Sequence, residues 1–158
     1  IPFGVDQDPH FRITRDIAPK INKPKPALIH NIMIPALGGP KGKMSASNEN
    51  ETIYTTDSPE VVRKKINKYA FSGGQPDIEE HRKKGGNPDI DVSYQYLRIF
   101  FEPDDKKLEQ IHDDYKSGKM LTGELKEILV EKINQFLTSH QQKREKAKNE
   151  LDKFLLKD

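Results

Sequence analysis

A glycine-rich segment at residues 38–47 carries the residues whose types and spacing best suit a chemical role. Its glycines permit positive φ angles and a close approach of the backbone to a ligand, and they leave amide groups uncovered for anionic oxygens. Lys43 adds a point charge on a flexible stem, and Ser45 and Ser47 add hydroxyl donors on the same side of an extended segment. The segment therefore predicts a binding site for a chain of phosphates.

A second polar cluster, Asp6 and Gln7, follows a short apolar run at residues 1–5. Asp8 can cap a helix and Pro9 suits its first turn. Helix capping explains Asp8, but it gives no structural reason for Gln7. We therefore treat Asp6 and Gln7 as candidates for ligand binding.

The predicted elements around these residues have the order strand, helix, strand. Apolar side chains at three- to four-residue spacing predict an amphipathic helix that ends before the Lys-Pro-Lys-Pro segment at residues 23–26. Residues 27–34 form a nearly continuous apolar run, which is typical of a buried parallel strand. Ligands of such open sheets bind beyond the carboxyl ends of the strands. Asp6, Gln7 and the Lys43 loop are therefore expected to face one ligand.

From residue 57 onwards the pattern of the sequence is helical. The first helix starts either with Ser58 as cap before Pro59, or with Asp57 as cap and Glu60 closing a capping box. Further helices or helical turns are predicted over residues 78–84, over 92–101 as the central helix of a bundle, over 104–116, and from a Thr122 cap onwards, with an apolar stripe that thins beyond Ser139.

Composition narrows the functional classes. The balance of 27 basic and 25 acidic residues gives a net charge of +2, so a polyanion would be held by local patches and not by overall charge. The sequence has no cysteine, which excludes disulfides and thiolate metal sites. Its five histidines lack metal-ligand spacing, and no apolar run reaches membrane-spanning length. We expect a cytoplasmic protein that has no membrane or protein-bound metal partner.

Four segments together resemble the eukaryotic cytoplasmic tryptophanyl-tRNA synthetases, which are class I aminoacyl-tRNA synthetases. They are residues 5–16, the Lys-Met-Ser-Ala-Ser run at 43–47, Ala-Phe-Ser-Gly-Gly at 70–74, and residues 85–94. The resemblance runs from Ile1 to beyond Leu129. The tyrosyl-tRNA synthetases share the fold and a loop of this kind and remain an alternative, but the Ser-Gly-Gly and Gly-Gly-Asn-Pro-Asp segments favour tryptophan.

The resemblance implies an α/β fold with two parts. Residues 1–56 would form the end of a Rossmann-like catalytic domain, including the loop that corresponds to the KMSKS signature of class I synthetases. Residues 57–158 would form an α-helical anticodon-binding domain. Ala46 stands where that signature has its second lysine, so Lys43 would supply the main positive charge of the loop.

The resemblance also implies roles in binding the substrates. Lys43 would be the catalytic residue and would bind the pyrophosphate portion of ATP, and Met44 would approach adenine through its backbone. Ser45 and Ser47 would support the loop or contact phosphate.

The other two candidates follow the first strand. Asp6 would hold the ribose hydroxyls of the adenylate, and Gln7 would contact the amino or carboxylate group of tryptophan.

The implied chemistry explains why a single lysine suffices. The carboxylate of tryptophan attacks the α-phosphate of ATP, and negative charge accumulates on the departing pyrophosphate. A cation about 4 Å from that charge contributes up to ~4 kcal/mol at an effective dielectric constant of about 20. Because a carboxylate nucleophile needs no general base, no catalytic dyad is expected, and Mg²⁺ would arrive with ATP.

Basic residues of the helical region allow two interpretations. They could form a solvated face, which is the usual role of charge runs, or the resemblance implies that they bind the anticodon of tRNA(Trp). Tyr69 could stack on a base. The full-length protein would be a homodimer. The candidate tRNA-binding residues are Arg63, Lys64, Lys68, Tyr69 and Arg82.

The first signature of class I synthetases, His-x-Gly-His, does not occur in this sequence. We therefore expect this chain to be inactive alone, with tryptophan–tRNA ligase activity belonging to a longer parent protein. The alternative from another functional class is a non-catalytic fragment that binds RNA or acts in signalling through its helical bundle.

Overall fold

The computed structural model describes residues 1–45 and 47–155 and divides the chain into two compact units. Unit 1 comprises residues 1–34 and unit 2 comprises residues 35–158. The Lys43 loop thus shares a unit with the helices. The domain boundary that we predict between residues 56 and 57 stays a prediction. Ala46, the substituted position of the signature, lies outside the described residues.

Unit 1 has the order strand, helix, parallel strand. Strand β1 (Pro2–Gly4) pairs in parallel with β2 (Ile29–Asn31), with Pro2 opposite Ile29. A 3₁₀ turn at Val5–Gln7 leads into helix α1 (Asp8–Ile17), which a second 3₁₀ turn extends over Ala18–Ile21. The predicted order of elements is therefore confirmed.

Two details of unit 1 differ from the sequence-based expectation. The apolar run at residues 27–34 contributes only a three-residue strand, and Ile29 and Ile32 are 63% and 75% exposed. A two-stranded sheet leaves most of its surface uncovered, so the predicted burial is wrong. Asp8 is not the cap of α1, because Gln7 occupies that position without a side-chain hydrogen bond.

Unit 2 begins with a hairpin and continues with helices. Strand β3 (Pro35–Ala36) pairs antiparallel with β4 (Gly39–Lys43). Gly39 adopts a φ of 147°, which an L side chain rarely permits. Part of the predicted glycine-rich loop is therefore a strand. The helices are α2 (Pro59–Tyr69), α3 (Ile78–Lys84), α4 (Val92–Tyr96) with a π-helical extension at Leu97–Phe101, α5 (Asp105–Lys116) and α6 (Thr122–Lys148), followed by a 3₁₀ turn at Leu151–Lys153.

Local signals determine most helix starts. Ser58 caps α2, with Pro59 as its first residue, so the first of the two predicted arrangements is confirmed. Asp104 caps α5 through the amides of Lys106 and Lys107. Thr122 is not the cap of α6, because Leu121 stands there and the Glu124 carboxylate accepts its N–H at 2.6 Å.

The core of unit 2 lies between α2, α4, α5 and α6. It includes Val62 and Ile66 of α2, Val92 and Tyr96 of α4, Ile111 and Tyr115 of α5, and Leu125, Leu129, Val130, Ile133 and Leu137 of α6. Helix α4 thus packs in this core, and the central position that we predict for the helix at residues 92–101 stays a prediction. Leu37, beside the hairpin, is also fully buried in this core, which ties the hairpin to the helices.

Candidate functional site

Asp6 and Gln7 lie in the exposed 3₁₀ turn that joins the carboxyl end of β1 to α1. The Asp6 carboxylate folds back over Gly4, where an added Cβ would approach Asp6 Oδ1 to 2.8 Å. Gly4 therefore makes room for this carboxylate. Both candidates stand at a strand end, as the sequence predicts.

A polar and aromatic cluster holds the elements of unit 1 around this turn. Asp8 Oδ2 lies 2.5 Å from Arg12 Nε, and Asp8 Oδ1 lies 3.1 Å from His30 Nε2. Phe3 stacks on Phe11 with ring centroids 4.3 Å apart and meets the His30 ring edge-on at 4.7 Å. Sequence reasoning missed this cluster, although the four-residue spacing of Asp8 and Arg12 is a signal for a helical ion pair.

The Lys43 loop belongs to unit 2. Lys43 is exposed at the end of β4, whereas the Met44 side chain is half-buried and packs against the helical core. Ser45 Oγ donates to Ser47 Oγ at 3.3 Å and accepts the N–H of Ser47 at 3.4 Å. The two predicted hydroxyl groups are therefore brought together beside the lysine. Asp6 and Gln7 belong to the other unit, so their sharing a ligand with this loop stays a prediction.

The hairpin before Lys43 is held by hydrogen bonds from the helical region. The Tyr96 hydroxyl donates to the Pro35 carbonyl at 2.6 Å, and the Phe71 amide donates to the Leu37 carbonyl at 2.7 Å. Burial raises the pKa of Tyr96, so its hydroxyl remains a donor at neutral pH. The start of the predicted phosphate-binding segment is thus fixed to the helical core.

A shallow cavity of about 510 Å³ opens beside the hairpin. Its lining is mainly apolar, from the hairpin glycines, Phe71 and Ile90, and it contains the Glu51 carboxylate. Lys43, Ser45 and Ser47 do not line it. The cavity is therefore lined by the glycines of the predicted phosphate-binding segment, and not by its described lysine and serine donors.

The predicted RNA-binding residues have different environments. The Arg63 guanidinium pairs with Glu127, which raises the pKa of Arg63. Lys64 is exposed, and Lys68 Nζ lies 5.1 Å from the centroid of the Tyr69 ring. These four candidates all belong to α2.

Arg82 belongs to α3, and its guanidinium binds backbone oxygens. It donates to the carbonyl of Gly118 at 2.9 Å and to that of Lys119. These bonds give Arg82 a structural role at the turn between α5 and α6. Its contact with RNA stays a prediction.

Asp91 organises the two motif segments at residues 70–74 and 85–94. It is fully buried, and its carboxylate accepts the Gly73 N–H at 2.9 Å and the Tyr115 hydroxyl at 2.8 Å. Its other oxygen accepts the amides of Ser93 and Tyr94, which caps α4. Burial and the nearby Asp91 charge raise the pKa of Tyr115 to about 12. Sequence reasoning missed Asp91, although it lies inside a motif that supports the resemblance.

The motif glycines are explained by close packing in the same region. A Cβ on Gly73 would lie 2.0 Å from the Asn87 carbonyl oxygen. A Cβ on Gly85 would lie 1.8 Å from the Lys116 carbonyl oxygen, and Gly85 has a φ of 72°. These motifs therefore stabilise the helical core whatever else they bind.

Within residues 1–45 and 47–155, no group of three or more His, Cys, Asp or Glu side chains could hold a metal ion. In the same part of the chain, no helix is both long enough and apolar enough to span a membrane. The candidate ligands of an ATP phosphate chain are the Lys43 ammonium and the two serine hydroxyls. These donors fit an anion, and a cation such as Mg²⁺ would need oxygen ligands from ATP or water.

Comparison with known proteins identifies similar sequences and folds. The family described as "tRNA synthetases class I (W and Y)" matches residues 1–138. The tryptophan–tRNA ligase of the archaeon Sulfurisphaera tokodaii is 59% identical over 98% of this chain and 40% of that protein. The human cytoplasmic tryptophan–tRNA ligase is 54% identical over 97% of this chain and 32% of that protein.

A solved tryptophanyl-tRNA synthetase from Giardia lamblia has the same fold as this chain. It superposes with a TM-score of 0.84 at 45% identity, over 92% of this chain and 36% of the other. This chain therefore spans about a third to two-fifths of the length of the proteins that it matches.

Proposed function

Since this chain belongs to the class I tRNA synthetases for tryptophan and tyrosine, we propose that it is the carboxyl-terminal part of a tryptophan–tRNA ligase. The longer parent protein would activate tryptophan with ATP and transfer it to tRNA(Trp). The observation that carries this proposal is the Lys43–Ser47 loop at the end of β4, in a chain that is 59% identical to a named tryptophan–tRNA ligase.

In the proposed reaction, a tryptophan carboxylate oxygen bonds to the α-phosphorus of ATP while the bond to the pyrophosphate oxygen breaks. Lys43 would stabilise the charge that develops on pyrophosphate, and Ser45 and Ser47 would donate hydrogen bonds to the phosphates. Asp6 would bind the ribose and Gln7 the tryptophan. Mg²⁺ would enter with ATP.

The narrower assignments are also proposals. Relatives of comparable identity come from archaea and from eukaryotic cytoplasm, so the eukaryotic origin, the cytoplasmic location and the homodimer rest on family resemblance. Specificity for tryptophan over tyrosine is supported by the names of these relatives. The family model covers both specificities, so the tyrosine alternative has less support only because these relatives are named tryptophan–tRNA ligases.

The test is to replace Lys43 with alanine in the full-length protein. Pyrophosphate exchange, measured with ATP and tryptophan, should slow about 100-fold, because loss of ~3 kcal/mol of transition-state stabilisation corresponds to about two powers of ten. Lys106→Ala, which removes an exposed lysine of α5, is the matched control and should exchange at the normal rate. Normal exchange by the Lys43 variant would remove this residue from the mechanism.

The non-catalytic alternative is favoured by one observation, the exposed Lys64 beside Arg63 and Lys68 on α2. A filter-binding titration of this chain with tRNA(Trp) at increasing salt concentration measures the affinity of the chain for RNA and its dependence on salt. Tight, salt-sensitive binding by the chain alone would favour an RNA-binding fragment.

A further inference from the structure

Two residues outside the Lys43 signature connect the loop to helix α2. Thr52 is 5% exposed, and its hydroxyl donates to the Ser45 carbonyl oxygen at 2.5 Å. Ser45 lies two residues after Lys43, and its carbonyl oxygen also accepts the Asn48 amide at 3.2 Å. The Thr52 side chain therefore holds the turn that immediately follows the lysine.

Thr52 is itself held by Lys65 of α2. Lys65 Nζ donates to the Thr52 carbonyl oxygen at 2.8 Å and to Asp57 Oδ2 at 2.7 Å. The same ammonium lies 4.7 Å from the centroid of the Tyr54 ring. A backbone carbonyl, a carboxylate and an aromatic ring thus hold the Lys65 ammonium between α2 and the segment that follows the loop.

Lys65 is much less exposed to solvent than the basic residues next to it in the sequence. The Lys65 side chain is 12% exposed and that of Asp57 is 11% exposed, whereas Arg63 is half exposed. A charge so far removed from water is stable only when it is paired and hydrogen-bonded, so its position is strongly determined. Lys65 therefore does not belong to the basic face that Arg63 and Lys64 present.

We infer that Lys65, acting through Thr52, positions the loop that carries Lys43, and that both are positioning residues for ATP binding in the proposed ligase reaction. The chain of contacts runs from Asp57 to Lys65, from Lys65 to the Thr52 carbonyl, and from the Thr52 hydroxyl to the Ser45 carbonyl. Neither residue touches substrate. This inference rests on the proposed function of the loop.

The expected consequence follows from conformational populations. If the hydrogen bond from Thr52 to Ser45 is lost, a smaller fraction of molecules holds the loop in the ATP-binding position. The apparent affinity for ATP then falls in proportion to that fraction. Loss of a single hydrogen bond corresponds to a decrease of about three- to tenfold in the apparent affinity for ATP. Tryptophan binding should not change, because Gln7 lies outside this chain of contacts.

The experiment uses Thr52→Val in the full-length protein, because valine keeps the shape of threonine and removes only the hydroxyl. The KM for ATP in pyrophosphate exchange should rise about three- to tenfold, with the KM for tryptophan unchanged. Thr52→Ser should restore the normal KM because it keeps the hydroxyl. Thr55→Val, the same change at an exposed threonine, is the control and should behave as the unmodified protein.

Lys65→Met extends the test one step back along the chain of contacts. It should raise the KM for ATP at least as much as Thr52→Val does, and titration of active sites gives the folded fraction of each variant. An unchanged KM for ATP in Thr52→Val, or a loss of active sites with normal KM values, would overturn the inference. If Lys43→Ala slows exchange in the same assays, the proposed function survives that outcome. If Lys43→Ala also has no effect, the proposed mechanism fails as well.

Discussion

The two units of this chain use similar sequence patterns with opposite results. Helix α1 in unit 1 has an amphipathic pattern but buries none of its residues, and Ile13 and Ile17 are 59% and 45% exposed. Helix α6 in unit 2 buries five residues in the common core. A pattern of apolar residues thus indicates which face of a helix can be buried, whereas burial itself needs a partner surface.

Charged groups show the same contrast. Asp8 in unit 1 contacts Arg12 and His30, whose side chains are 77% and 49% exposed. Asp91 in unit 2 is fully buried and accepts four hydrogen bonds from three backbone amides and one hydroxyl. We expect substitutions in unit 2 to have large effects on stability and equivalent substitutions in unit 1 to have small ones.

The largest expected effect is that of removing a core side chain. Leu129→Ala should lower the free energy of unfolding of unit 2 by about 2–5 kcal/mol, because it leaves a cavity at a fully buried position. The chain has no tryptophan and all five tyrosines lie in unit 2, so tyrosine fluorescence during urea unfolding reports on this unit. The matched change in unit 1 is Ile29→Ala, which should change hydrogen-exchange protection there by less than about 0.5 kcal/mol. Equal effects at both positions would contradict the difference in packing between the two units.

The next effect concerns the two aspartates. Asp91→Asn should destabilise unit 2 by about 2–4 kcal/mol, because an amide group presents a donor where the carboxylate accepts hydrogen bonds from both sides. Asp8→Asn should change the stability of unit 1 by less than about 1 kcal/mol, since its partners are exposed. Urea unfolding measures the first variant and hydrogen exchange the second. A small effect at Asp91 would show that its network contributes little.

The smallest expected effect is a pH dependence that arises from Glu102. Burial alone would raise the pKa of this carboxyl, but hydrogen bonds from Lys132 and the Asp104 amide, with the charge of Lys107, lower it below its ordinary value of 4.5. Between the lowered pKa and 4.5 the unfolded chain binds more protons than the folded chain, so stability falls as the pH falls through this range.

Glu102→Gln tests this prediction because it removes the titrating group. The variant should be less stable than the parent chain at pH 7 and should lose less stability between neutral pH and the acid range. Urea midpoints at several pH values measure the difference. Parallel curves for the two proteins would assign the acid sensitivity to other carboxylates.

Features that depend on neighbouring residues could be predicted from the sequence. The Ser58 cap and the apolar spacing of α2, α5 and α6 predicted helices in the right places, because capping and periodicity act within one or two turns. The order strand, helix, parallel strand followed from the same local patterns. The family resemblance was also visible in ordered motifs of the sequence.

Which of these residues contact one another was set by tertiary packing. It placed Lys65 near Thr52 and away from the basic face, made Asp91 the partner of Gly73 and Tyr115, and used the Thr122 hydroxyl in contacts with Ser72 and Tyr115 in place of a helix cap. It also left the apolar run around Ile29 exposed. These outcomes depend on contacts between residues far apart in the chain, and a local pattern has no information about which distant surface will cover it.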